Sequence, residues 1–271
     1  MKDILPKGLY YKKFFINRQE RSDILNYLKT LYPIWENRFS EHHPPPPEDE
    51  QRELLRPVYW LGNWQFACLG YYHPPKGYKY RCVYAEPYPK LLRELINRIE
   101  FIAKKELPKN YIPEKWHLNT CLINYYGDKI ENGKKVDRAR VGDHQDFEPG
   151  PVASLSLGER AFFQFVAGKS TLGRENVIFE QWLEDSSLQI FAGPKWKDEL
   201  FHRVQRVEKK RKEIFDLNTK NFETRRINFT FRYVPTEHFH HWKDLPKEDQ
   251  ADTKGYVQEL AQHSEFFKKF I

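Results

Sequence analysis

The residues best suited to chemistry lie in the second half of the chain. His144 and Asp146 are separated by a single residue. On a β-strand, side chains two apart point to the same face, so both can grip one ion. Such a pair is weak evidence alone, because 10 histidines and 38 acids in 271 residues make chance pairs expected. His263 and Glu265 form a second one, but neither strands nor a partner histidine follow it, and it reads as part of a solvated helix. His144 and Asp146 differ because His202 follows them, beyond the strand-like runs VASLSLG, AFFQFV and SLQIF. Two histidines and one carboxylate hold an ion from one side and leave its other positions open, the arrangement of non-haem Fe(II) oxygenases.

A chelating co-substrate needs anchors of its own, and the run from Arg226 to Arg232 offers them. Arg226, Asn228, Thr230 and Arg232 share one face of a strand, while Ile227, Phe229 and Phe231 share the other. An antiparallel strand with one solvated face is the plainer reading. Two arginines and an asparagine, however, are donors suited to planar carboxylates, and the arginine fork binds a carboxylate bidentately as lysine does not. Asn124 and Tyr126, also two apart, can hydrogen-bond carboxylate oxygens from an earlier strand.

The elements that must position these residues are legible in outline. Asn17 and Glu20 have capping-box spacing, and Ile24, Tyr27, Leu28 and Leu31 recur at helical intervals. A second helix is predicted from Pro89 to Lys104, with Leu92, Leu95, Ile96, Ile99 and Ile102 on one side and proline in the first turn. From Leu118 the texture changes to short strands rich in β-branched and aromatic residues, punctuated by Gly, Pro, Asp and Asn. That spacing predicts an α+β chain with a mainly β core, a sandwich or jelly roll, flanked by N-terminal helices. A C-terminal helix is predicted from Thr253 to Phe270, and the stretch Pro44 to Pro47 reads as an exposed loop. The division expected is 1–110 as an N-terminal helical region packed on the core, 111–235 as the β core, and 236–271 as a helical extension.

Composition bounds the rest. Aromatic residues are 16% of the chain, enough for a real core. No apolar run approaches the roughly 20 residues of a membrane span, and the N-terminus does not read as a signal peptide. Three widely spaced cysteines fit a reducing compartment better than a disulfide framework. A cytoplasmic monomer is expected, or a nuclear one in a eukaryote. The net charge of +7 favours polyanionic partners, because each neutralised phosphate releases counterions.

Taken in order, Cys121 to Tyr126, His144-Gln145-Asp146, SLSLG at 154–158, AFFQF, His202 and RINFTFR resemble the AlkB family of Fe(II)- and 2-oxoglutarate-dependent dioxygenases, over roughly 69–232. The resemblance implies a double-stranded β-helix with an N-terminal nucleotide-recognition region. It implies that His144, Asp146 and His202 hold Fe(II). Arg226, helped by Asn228 and Tyr126, would clamp the distal carboxylate of 2-oxoglutarate, with Arg232 and Asn124 near the metal-bound end. The reaction implied uses O2 and converts 2-oxoglutarate to succinate and CO2. An alkyl group leaves a damaged base such as 1-methyladenine or 3-methylcytosine as an aldehyde, so the expected partner is alkylated DNA or RNA.

The stretch from Leu69 to Tyr80 is also similar to the family, which places aromatic residues there around the base. Tyr71 and Tyr78 occupy such positions, and stacking between rings is how an extruded base is held. Relatives often carry H-x-D-x-D where this chain has Glu148 in the last place, a longer carboxylate that would face the substrate base. The basic run Arg203, Arg206, Lys209, Lys210, Arg211 and Lys212 reads either as a phosphate contact or as a solvated loop. Other outcomes on the same scaffold are RNA demethylation, protein hydroxylation, or nucleic-acid binding without catalysis.

Overall fold

The computed structural model describes residues 5–71, 81–168, 176–210 and 213–271. In chain order the main elements are β1 (Leu9–Lys12), α1 (Arg18–Leu28), β2 (Val58–Leu61), β3 (Asn63–Gln65), β4 (Cys82–Tyr84), α2 (Lys90–Glu106) and β5 (Thr120–Glu131). There follow β6 (Lys134–Asp137), β7 (Val141–His144), β8 (Val152–Gly158), β9 (Ala161–Val166), β10 (Val177–Leu183), β11 (Ser187–Phe191), β12 (Phe201–Gln205), β13 (Phe222–Arg232) and α3 (Lys247–Ala261).

Two antiparallel sheets form the core. The larger runs β1-β11-β8-β13-β5-β2, with β6 added on β5, and the smaller runs β10-β9-β12-β7. This is the jelly roll expected from the spacing of the short strands. Two strands of the large sheet, β1 and β2, come from the first 110 residues, so the N-terminal region enters the sheet as well as covering it.

Alternation along β5, β8 and β13 decides what each face does. Ile123, Tyr125, Leu155, Leu157, Ile227, Phe229 and Phe231 pack against buried residues of α1 and α2. Asn124, Tyr126, Ser154, Ser156, Arg226 and Asn228 hold the opposite face, and all are buried. Between the sheets, Leu9, Val152 and Phe191 meet Phe163, Phe165 and Val204 in a second apolar cluster. The inner space is thus apolar at one end and polar at the other.

The helices obey local rules. In α1 the Asn17 side chain accepts from the Glu20 N–H at 2.9 Å, and the Asn17 N–H donates to Glu20 at 2.8 Å, a closed capping box. In α2 Leu92, Leu95, Ile96, Ile99 and Ala103 are buried along one stripe.

The C-terminal helix departs from expectation. It starts at Lys247, directly after Pro246, and ends at Ala261, instead of spanning Thr253 to Phe270. Glu248 and Asp249 in its first turn suit the positive end of the helix dipole. The phenylalanines beyond it extend the apolar pattern but pack after a turn, with Phe267 buried. His263 therefore lies outside the helix, stacked on Tyr32 with ring centroids 3.6 Å apart. The loop before Pro44 is pinned to α3, since His42 and His43 hydrogen-bond Asp252 and Asp249.

Candidate active site

His144 ends β7, and Asp146 lies just beyond the strand. The sequence expectation of a same-face pair within one strand is therefore corrected: the carboxylate reaches the site because the chain leaves the ladder after His144. His202 lies on β12 directly across the ladder from His144, and the two ring centroids are 4.1 Å apart. One ligand atom from each of His144, Asp146 and His202 lies within 4.8 Å of the other two. Among the described residues, this is the one such cluster of histidine, cysteine and acid side chains.

The hydrogen bonds leave metal-binding atoms free. His144 donates from Nδ1 to the Gly142 carbonyl at 2.8 Å, which fixes the tautomer and leaves the Nε2 lone pair available. Burial, then the neighbouring His202, pulls His144 down to about 3, so the ring is neutral as a ligand must be. Arg232 donates from Nε and Nη2 to Asp146 Oδ1, at 2.8 and 2.7 Å. The other oxygen, Oδ2, is buried without a hydrogen-bond partner, 3.4 Å from His202 Nε2. Burial opposes ionisation of Asp146, yet Arg232 and His202 hold its carboxyl well below the usual range. His202 packs among Phe163, Phe165 and Phe191. Two histidine rings, that of His144 neutral, and an unpartnered carboxylate oxygen fit Fe(II) bound on one side.

The co-substrate residues converge on the polar face of the large sheet. Arg226 is opposite Tyr126, and Asn228 is opposite both Asn124 and Ser156. Asn228 donates to Ser154 Oγ at 2.7 Å and to the Leu155 carbonyl at 3.1 Å. Arg226 lies with its guanidinium carbon 4.7 Å from the Tyr126 ring centre and reaches Ser156 Oγ at 3.2 Å. Its Nε and Nη1 are buried and unpartnered. A bulge between Thr224 and Arg226 separates this side chain from that of Arg225. Gly127 permits the close approach there, since a Cβ would meet the Glu223 carbonyl oxygen at 1.8 Å. Arg225 takes the local acids, pairing with Asp128 and with Glu159 at 3.1 Å. Among the described residues Arg226 is left without a carboxylate partner, which suits a site for an exogenous carboxylate.

Glu148 is 1% exposed. It accepts from Gln65 Nε2 at 2.8 Å and lies 3.6 Å from Arg232 Nε. Its place is thus a buried one between Gln65 and Arg232. Tyr71 is buried edge-on to Trp60, 5.3 Å between centroids, and its ring centre is 6.0 Å from the Arg232 guanidinium. Tyr78 lies outside the described residues. In the basic run, Arg203 donates to Gln164, Arg206 to the Asp137 carbonyl and Lys210 to Asp128, so these three make hydrogen bonds within the protein. Arg211 and Lys212 lie outside the described residues.

Several residues beside the site had no sequence signal. Arg81 lies over both Tyr71 and Phe147. Phe147, next to Asp146, is 48% exposed. Lys197 is buried with its Nζ unpartnered, and burial pulls it below the usual lysine range. Arg56 donates to Asn124 Oδ1 at 2.8 Å. None sits in a periodic pattern; Phe147 is carried there by its neighbour Asp146, and Arg56, Arg81 and Lys197 reach the site by tertiary placement.

Residues 8–232 match the family described as the 2OG-Fe(II) oxygenase superfamily. No curated protein matches the chain. Among solved structures, OsALKBH1 matches with a TM-score of 0.52 and 20% identity, over 85% of this chain and 100% of that one. The ribosomal oxygenase YcfD from Escherichia coli, in complex with cobalt and succinic acid, matches with a TM-score of 0.35 and 10% identity, over 96% of this chain and 65% of that one. No helix among the described residues is long and apolar enough to cross a membrane. The chain belongs to the 2OG-Fe(II) oxygenase superfamily, as an Fe(II)- and 2-oxoglutarate-dependent dioxygenase with an AlkB-type fold.

Proposed function

We propose that this dioxygenase removes alkyl groups from nucleic-acid bases, with lesions of the 1-methyladenine and 3-methylcytosine type as substrates. The observation that carries this reading is the aromatic group beside Asp146: Tyr71 and Phe147, joined by Arg81 across both rings. Rings next to an oxidising centre suit a flat substrate taken out of its stack. The net charge of +7 supports a polyanionic partner.

When bound, Fe(II) with 2-oxoglutarate and O2 supplies the oxidation that hydroxylates the alkyl carbon, after which the base is released with loss of an aldehyde. The protein binds and orients. His144, Asp146 and His202 would hold the metal, and Arg232 keeps Asp146 ionised while leaving its Oδ2 without a hydrogen bond. Arg226, Asn228 and Tyr126 anchor the distal carboxylate, and Asn124 lies toward the metal-bound end. Glu148, tied to Gln65, supports Arg232 from its buried place and through it the orientation of the substrate base. Tyr71 and, by resemblance, Tyr78 flank the base.

Comparing 2-oxoglutarate turnover on methylated single-stranded DNA, methylated RNA and peptides tests the substrate class. The reading expects stimulation by a methylated oligonucleotide over its unmethylated control. Stimulation by peptide alone would replace it with a protein hydroxylase.

A further inference from the structure

Arg226 is not the only buried cation on the polar face of the large sheet. Arg56, just before β2, is 8% exposed and directs its side chain to the same face. Its Nε donates to Asn124 Oδ1 at 2.8 Å, and its guanidinium carbon lies 4.6 Å from the Tyr126 ring centre. Arg226 lies 4.7 Å from the centre of the same ring. Two guanidiniums therefore share one tyrosine. Neither pairs with a carboxylate among the described residues.

Such an arrangement is costly unless an anion belongs there. Like charges repel, and a buried charge without a partner forfeits its hydration. Burial lowers the basicity of Arg226; Tyr126 opposes this, and the charge of Arg56 adds to the lowering. Nearby acids relieve the cost only in part: Glu159 acts on Arg226 through space, while the direct ion pairs of Asp128 and Glu159 are with Arg225. The unpartnered Nε and Nη1 of Arg226 are donors already stripped of water. A carboxylate has two oxygens and can accept from two guanidiniums at once.

We propose that Arg56 is a second arm of the co-substrate site, so that the distal carboxylate of 2-oxoglutarate is held by Arg56 and Arg226 together over Tyr126. This rests on the assignment of Arg226 to that carboxylate. Arg56 comes from outside the strands that carry the other co-substrate residues. Its contact with Asn124 also ties the distal end to the residue placed toward the metal. The consequence is specificity: Arg56 discriminates a dicarboxylate from a 2-oxo acid that lacks the second carboxylate.

The test is calorimetric titration of the full chain loaded with Mn(II) under anaerobic conditions, using 2-oxoglutarate and 2-oxopentanoate, which lacks the distal carboxylate. Wild type, Arg56→Met, Arg56→Lys and Arg226→Met are compared. Arg56→Met is expected to weaken 2-oxoglutarate binding by about 10-fold or more, the worth of a charge-assisted hydrogen bond. It should leave 2-oxopentanoate binding unchanged, and Arg56→Lys should recover part of the loss. Equal weakening for both ligands would mean that Arg56 only supports the fold, which overturns the proposal. Loss in Arg226→Met with none in either Arg56 variant would also overturn it, while keeping Arg226 as the anchor. No loss in any variant would remove the carboxylate assignment of Arg226 and the proposal with it.

Discussion

Arg232 places both of its donating nitrogens on one oxygen of Asp146, Oδ1, and leaves Oδ2 without a hydrogen bond beside His202. The arginine thus keeps the carboxylate ionised and assigns its two oxygens different tasks. Replacing Arg232 by Met should lower Co(II) or Mn(II) affinity by about 10–100-fold, as loss of a partner to a metal ligand generally does. Titration of the metal-free protein measures this, and an unchanged affinity would show that Asp146 needs no such partner.

The buried, unpartnered nitrogens of Arg226 give the co-substrate assignment its geometry. Arg226→Lys keeps the charge and loses the fork. The Michaelis constant for 2-oxoglutarate should rise by about 10-fold, the loss of one charge-assisted bond. Metal affinity should not change. A 2-oxoglutarate dependence equal to that of the wild type would count against the role.

Tyr71 and Phe147 should act on the substrate and not on the co-substrate. Alanine at Phe147, which is the more exposed, should weaken oligonucleotide binding by about 1–3 kcal/mol, the worth of one stacked base. Uncoupled 2-oxoglutarate turnover without oligonucleotide should persist. Fluorescence anisotropy with a methylated oligonucleotide reads the first quantity. Equal binding by the variant would take Phe147 out of the base pocket.

Glu36 gives the protein a pH-dependent element away from the metal. Its carboxylate accepts from the indole N–H groups of Trp60 and Trp64 and from the Ala67 N–H, at 3.1, 2.9 and 2.7 Å. Burial outweighs these donors and pushes its pKa up from 4.5 to about 7. Between those values the folded protein keeps a proton that the unfolded chain has lost. The associated stability is full below about 4.5 and declines as pH rises to about 7. Urea midpoints of wild type and Glu36→Gln across this window measure it: the wild type should show the steeper decline with rising pH. Parallel curves would mean that Glu36 is ionised throughout.

What the sequence showed and what it hid follow from the range of the interactions. The capping box of Asn17 and Glu20 and the alternation of Arg226 to Arg232 are local, and both were legible. The partnership of His144, Asp146 and His202 was legible because its residue types are chemically restrictive. The C-terminal helix was misplaced because the phenylalanine run that extends its apolar pattern packs after a turn. Arg56, Arg81 and Lys197 meet the site only through tertiary packing, and nothing in their spacing marked them. Glu148 was legible as a carboxylate in the right register, but its hydrogen bond from Gln65 depends on β3, a strand too short to stand out.

The central claim is that the metal centre oxidises an alkyl group on a base. It is tested by measuring formaldehyde and succinate together, from a single-stranded oligonucleotide carrying 1-methyladenine or 3-methylcytosine. The enzyme is loaded anaerobically with Fe(II) and 2-oxoglutarate and then exposed to O2, beside the Asp146→Ala variant. Both products are expected in the wild type and neither above background in the variant. Succinate without formaldehyde on every methylated oligonucleotide, DNA or RNA, or undiminished release by the variant, would contradict it.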